Sequence, residues 1–316
     1  EIYVLSGSSY REHLSALSTS LQERGLAPIR LIEADSRLRS EDILELVNAG
    51  VEPLTVVDDY LANLWSKVLQ DIRVLQDIPL ATDRYIGWAV REGSPRLQQA
   101  LTEYSKKVRK GTEIGNILMR RYYRSTKWIN NPDDQEARDL LNQYMPLFEK
   151  YGKQYGHDPM SLAAQAYQES RLNHEQKSHA GAVGLMQLLP NTAADKNVNI
   201  PDISSVENNI HAGAKYMAFL RDRYFSEQNI APVDRMAFTW AAYNAGPARV
   251  QALRKEATRM GLDPDVWFGN VEVVAGKSVG TEPVRYVANI YKYYLAYDLV
   301  RRRQEEKRQV LKQHLK

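Results

Sequence analysis

Apolar residues change their spacing once along this chain, near residue 130, and that change limits the fold to two units of different kind. Before it, short β-rich runs alternate with amphipathic stretches, the pattern of a sheet covered by helices. Strands are expected at Ile2 to Leu5, Pro28 to Ile32, Leu54 to Val57, Ile72 to Leu75 and Tyr85 to Val90. Helices are expected between and after them: one opened by a Ser9/Glu12 capping box, burying Leu14, Leu17 and Leu21 and closed by Gly25. Others fall at Glu41 to Val47, Tyr60 to Leu69, Pro95 to Lys107 and Glu113 to Tyr123.

After residue 134 every strong pattern is helical. Ala137, Leu140, Leu141, Tyr144, Leu147, Phe148 and Tyr151 line one side of a long helix, expected to bend or break near Pro146. The turn-forming Trp128 to Asp133 reads as a linker. The expected organisation is therefore α+β: an α/β unit over 1–126, an all-α unit over 134–300, and a charged helical extension over 301–316 with few apolar residues besides Val310 and Leu311. With 316 residues, two domains suit the length. The chain starts at Glu1 inside an apolar strand pattern, without Met, and so reads as a processed or truncated product.

Composition removes several classes of chemistry. There is no cysteine, which excludes disulfides, thiol nucleophiles and thiolate metal sites. The six histidines are scattered, none in a metal-ligand spacing, and no metal or organic cofactor is expected. A net charge of +3 does not mark a nucleic-acid binder, and it would not repel an anionic polymer. No apolar run is long enough to span a bilayer.

One carboxylate stands out. Asp158-Pro159 is a good helix start, and Leu162, Ala166 and Glu169 then fall at i, i+4 and i+7, so Glu169 shares the apolar face and should be largely buried. Lost solvation and the negative end of the helix dipole would both raise its pKa, which suits a general acid. Downstream lie Gly181-Ala182-Val183-Gly184-Leu185-Met186-Gln187 and Ala242-Tyr243-Asn244-Ala245-Gly246, the second closing a helix begun near Asp234 with Gly246 as a left-handed stop. Position alone would make Glu169 a structural residue, Met186 core and Ser178 a turn serine.

Taken in order, Glu169-Ser170, Gly184-Leu185-Met186-Gln187, Ala242 to Gly246 and Tyr286-Val287 with Ile290 resemble the motifs of the lytic transglycosylases of the soluble-lytic and goose-lysozyme-related type. The resemblance covers about Asp134 to Asp298. It implies a lysozyme-like domain that cuts peptidoglycan glycan strands, with Glu169 as catalytic acid and then base. It also implies sugar contacts from Ser178, Met186, Gln187, Tyr243 and Asn244, and a Tyr286 hydroxyl that approaches the acid. Without a recognisable second carboxylate, the muramic C6 hydroxyl would serve as nucleophile and leave a 1,6-anhydro sugar. Glu282 is a candidate for an overlooked partner, which keeps goose-type hydrolysis open. The sequence departs from the family at Asn173-His174, where Asn-Pro is common, and at Gln176, where a small residue is common.

The N-terminal half resembles part of a periplasmic solute-binding domain, its first lobe mostly preceding Glu1, through its element order, Gly7-Ser8-Ser9 and Val57-Asp58-Asp59. That resemblance implies a regulatory ligand, such as a muropeptide or cell-wall peptide, held by Ser8, Ser9, Asp58 and Asp59. It also implies a periplasmic site of action, peripheral on the outer membrane of a Gram-negative envelope. Two other readings remain: a peptidoglycan-binding scaffold without turnover, and a protein whose solute-binding half is its main function.

Overall fold

The computed structural model describes residues 1–82, 87–109, 111–118 and 135–314. It divides into two compact units, Glu1–Asp133 and Asp134–Lys316.

In the first unit β1 (Ile2–Leu5) pairs in parallel with β2 (Leu31–Ala34), Ile2 opposite Leu31 and Leu5 opposite Ala34. The crossover is α1 (Ser9–Glu23), followed by α2 (Ser40–Asn48), α3 (Asp59–Trp65), α4 (Pro95–Val108) and α5 (Glu113–Leu118). The helices follow the expected order, but the sheet is smaller than expected. Leu54 to Val57 contributes a single bridge, Thr55 to Tyr3, and Ile72 to Leu75 and residues 87–90 form no strand. Residues 83–86, the linker at Trp128 to Asp133 and the end of the expected helix beyond Leu118 lie outside the described residues.

Local chemistry at α1 also differs from expectation. Ser8, not Ser9, is the N-cap, and its hydroxyl donates back to the Leu5 carbonyl at 2.7 Å instead of capping. Leu14 is buried, whereas Leu17 is exposed. Gly25 does close the helix: at φ +73° it lets its own N–H and that of Leu26 bond Gln22 and Leu21 carbonyls.

The second unit is helical: α6 (Gln135–Tyr155), α7 (Pro159–Ser170), α8 (Pro190–Ala194), α9 (Val206–Tyr224), α10 (Pro232–Ala245), α11 (Pro247–Arg259), α12 (Glu272–Ser278) and α13 (Thr281–His314). Pro159, Pro190, Pro232 and Pro247 each open a helix, where the missing N–H costs nothing. Pro146 does not break α6, which runs on to Tyr155. The charged C-terminal stretch continues α13 without interruption.

Burial on all sides makes α7 the centre of this unit. It packs on α6 and α13, while α10 packs on α9, α11 and α13. Leu162, Ala163, Ala164 and Ala166 of α7 are fully buried with Phe148, Phe238, Trp240, Trp267, Val287 and Ile290. Small residues on α7 let the neighbouring helices approach closely, so the site residues at its end are set in a dense core.

Candidate active site

The capping chemistry at the start of α7 is as the sequence indicates: Asp158 accepts from the Met160 N–H at 2.8 Å. At its other end the chain turns sharply through Arg171 and Leu172, both in the left-handed region at φ 55° and 62°. Two consecutive residues with side chains there are strained, and the burial of Leu172 holds the turn in place.

Glu169 sits one residue before the end of this helix. The Tyr286 hydroxyl of α13 donates to its Oε1 at 2.5 Å. Burial pushes the carboxyl up to about 7; the Tyr286 hydrogen bond opposes that shift and the nearby negative charge of Glu282 adds to it. Burial first, and then the Glu169 charge, raise the Tyr286 and Tyr243 hydroxyls well above their ordinary range.

The loop after α7 is tied to the acid by Ser170, whose hydroxyl donates to the Leu185 carbonyl at 2.9 Å and contacts the Ala166 carbonyl at 3.2 Å. Gly184, at φ +77°, is required twice over: a Cβ there would lie 2.4 Å from the Asn209 amide. Asn209 of α9, fully buried, accepts from the Met186 N–H at 2.8 Å and donates to the Val183 carbonyl at 3.0 Å. It is the anchor of the glycine-rich segment. A mid-helix asparagine carries no local motif, and only its fit to Gly184 reveals it.

The structure moves one expected sugar contact into the core. The Met186 side chain is completely buried against Gly213, where a Cβ would come within 2.7 Å of it, so it does not line the cleft. Met186 acts through its backbone, whose carbonyl accepts from the Tyr243 hydroxyl at 2.7 Å. That hydroxyl is buried, although the Tyr243 ring is partly open.

Gln187 adopts φ +43° and spends its amide nitrogen on the Gln176 and Gly184 carbonyls, both at 2.9 Å. Ser178 closes its own turn, accepting from the Ala182 N–H at 3.0 Å. Asn244 is exposed and donates to Glu282 at 3.0 Å. Gly246 ends α10 at φ 86°, ψ 143°, a glycine conformation outside the left-handed helical region. Glu169, Tyr286, Tyr243 and the Asn244–Glu282 pair thus form one electrostatic group, with the Ser178–Gln187 loop joined to it through Ser170 and Tyr243.

In the N-terminal unit Ser9 opens α1, Asp58 stands at the N-cap position of α3 without a side-chain capping bond, and Asp59 lies in its first turn. Asp58 bonds the Tyr10 hydroxyl, which burial and that carboxylate push up to about 12. Among the described residues no group of three or more His, Asp or Glu is placed to hold a metal.

Residues 146–263 match the family described as Transglycosylase SLT domain. The chain is 29% identical over 310 residues to a membrane-bound lytic murein transglycosylase F of Desulfosudis oleivorans, covering 93% of this chain and 65% of that protein. It is 31% identical over 312 residues to one of Pseudomonas fluorescens, covering 93% and 62%. The chain therefore spans less than two thirds of the length of these relatives. Among solved structures, the 70 kDa soluble lytic transglycosylase from Escherichia coli aligns over 90% of this chain and 45% of its own, at 20% identity and a TM-score of 0.40. Among the described residues no helix is long and apolar enough to cross a membrane.

Proposed function

We propose that the SLT domain is the catalytic part of a peptidoglycan lytic transglycosylase. It cleaves the β-1,4 bond between N-acetylmuramic acid and N-acetylglucosamine and leaves a 1,6-anhydro-muramic end. The observation that carries this reading is the partly buried Glu169 carboxyl, braced by Tyr286 and pushed up to about 7, so that it holds a proton near neutral pH.

Glu169 gives that proton to the glycosidic oxygen as the bond to the muramic C1 breaks and its electron pair stays on the departing oxygen. The substrate's acetamido group stabilises the cation at C1. The Glu169 carboxylate, favoured by the Tyr286 hydrogen bond, then takes the proton of the muramic C6 hydroxyl as its oxygen closes on C1. No water is consumed. Ser178, Gln187 and Asn244 face the sugar in this reading, with the Gln187 carbonyl left as acceptor once its nitrogen is tied to the loop. Tyr243 orients the wall through the Met186 carbonyl.

Glu282 favours one alternative. An exposed carboxylate close enough to raise Glu169 could activate a water and make the reaction hydrolytic, as in goose-type lysozyme. Mass spectrometry of soluble fragments from digested, purified peptidoglycan separates the two. Fragments lighter than hydrolytic ones by one water are expected; reducing-end fragments would establish hydrolysis, and no fragments would leave a binding protein.

The same proposal puts the protein in the periplasm, peripheral on the outer membrane, with the N-terminal unit a solute-binding-like sensor that uses Ser8, Ser9, Asp58 and Asp59 for a cell-wall peptide. Calorimetric titration with stem peptides should give heat and alter turnover. Absence of both would remove that role.

A further inference from the structure

One helical turn before Glu169, Gln165 is completely shielded from solvent, and neither its amide nitrogen nor its carbonyl oxygen has a hydrogen-bond partner. Such an amide gives up its hydration for nothing, whereas an unbranched apolar residue would fill the same volume without that loss. Its position explains what the amide is for. Residues four apart lie on one face of a helix with Cβ atoms about 5–6 Å apart, within reach of a Gln side chain.

The groups around Glu169 leave a specific need unmet. Tyr286 occupies Oε1. Tyr243, from α10, gives its hydrogen to the Met186 carbonyl, and Glu282, from α13, is an acceptor that accepts from Asn244. From α6, the Tyr151 hydroxyl is given to Glu207. Among the buried donors left without a partner, the indole N–H groups of Trp240 and Trp267 lie on other elements, whereas the Gln165 amide is on α7 itself, four residues from Glu169 and able to reach its second oxygen once it is ionised.

We propose that Gln165 is a positioning residue for Glu169, a held-back donor whose amide turns onto Oε2 when the acid has released its proton. Rotation about the Gln side chain moves the amide without disturbing α7. The second hydrogen bond steadies the carboxylate between its acid and base steps and aims it at the muramic C6 hydroxyl. This inference rests on the two-step role of Glu169 proposed above.

The test has two arms. In the wild-type chain the side-chain amide resonances of Gln165, selectively labelled with nitrogen-15, are followed between pH 5 and 9. They should move with the same midpoint as the Glu169 carboxyl and stay fixed in Glu169→Gln. In the second arm Gln165→Met, which keeps the length and removes the donor, is compared with wild type on purified peptidoglycan. It should melt at the same or a higher temperature and keep KM, while kcat falls about tenfold, the effect of one hydrogen bond to a charged group. An amide signal that ignores the Glu169 titration, or a Gln165→Met enzyme with wild-type kcat, would overturn the proposal. If the wild type yields no anhydro products, the transglycosylase reading fails and the resonance titration still decides Gln165.

Discussion

The helical unit hides Trp240 and Trp267 completely, while the N-terminal unit leaves Trp88 57% exposed and stacks it on an equally exposed Tyr104. The contrast extends to their polar groups. Glu169 stands at the end of a helix packed into an apolar core, and burial dominates its proton affinity. Asp58 is met by Tyr10 beside a sheet of two strands. Packing that keeps water away is what raises the proton affinity of a carboxyl, and the helical unit supplies it around Glu169.

The largest break in this contrast should come from Glu169→Gln, with peptidoglycan cleavage falling about a thousandfold or more. The same variant should gain stability. In the wild type the folded carboxyl stays protonated up to about 7, above its ordinary 4.5. Stability is therefore full below about pH 4.5 and declines as pH rises through 7, by at most about 3 kcal/mol. The Gln variant has no such decline, so urea unfolding at pH 8 should find it more stable than wild type.

Next in size is Gly184→Ala, which drives a Cβ into the buried Asn209 amide at positive φ and should cost about 3 kcal/mol. Gly181→Ala is the control: its φ is +85° but nothing lies within 4 Å, so about 1 kcal/mol is expected from thermal melts. Equal losses would mean that Asn209 does not anchor the loop.

Tyr286→Phe sharpens the comparison at the acid itself. Its hydrogen bond lowers the Glu169 pKa, so removing it should lift the midpoint above 7 and move the alkaline limb of the rate profile to higher pH, with kcat down about tenfold. The smallest effect belongs to the N-terminal unit. Asp58→Asn should leave glycan cleavage unchanged without added peptide, while an ultraviolet titration shows Tyr10 ionising closer to its ordinary value of 10.

Much of the helical unit was legible because its signals are local. Asp158-Pro159 caps α7 with its own side chain, and the spacing of Leu162, Ala166 and Glu169 places the acid on the buried face. What failed depends on distant partners. Ile72 to Leu75 has strand composition but no strand beside it, since β structure needs a neighbour to pair with. Met186 could not be assigned to cleft or core from its sequence, because Gly213 on another helix provides its seat. Asn209 and Gln165 carry no motif at all. Burial was expected to raise the Glu169 pKa and is the largest cause of its shift, but the contribution of Glu282 had no signal in the sequence, because Glu282 becomes a neighbour only through the packing of α13 on α7.

The site stands or falls on the proton that Glu169 holds. A carbon-13 NMR titration of its side-chain carboxyl, assigned by its loss in Glu169→Gln, measures this directly. A midpoint near 7 is the expected result. A midpoint near 4.5 would leave the group ionised at neutral pH, and Glu169 could not then be the acid that opens the glycosidic bond.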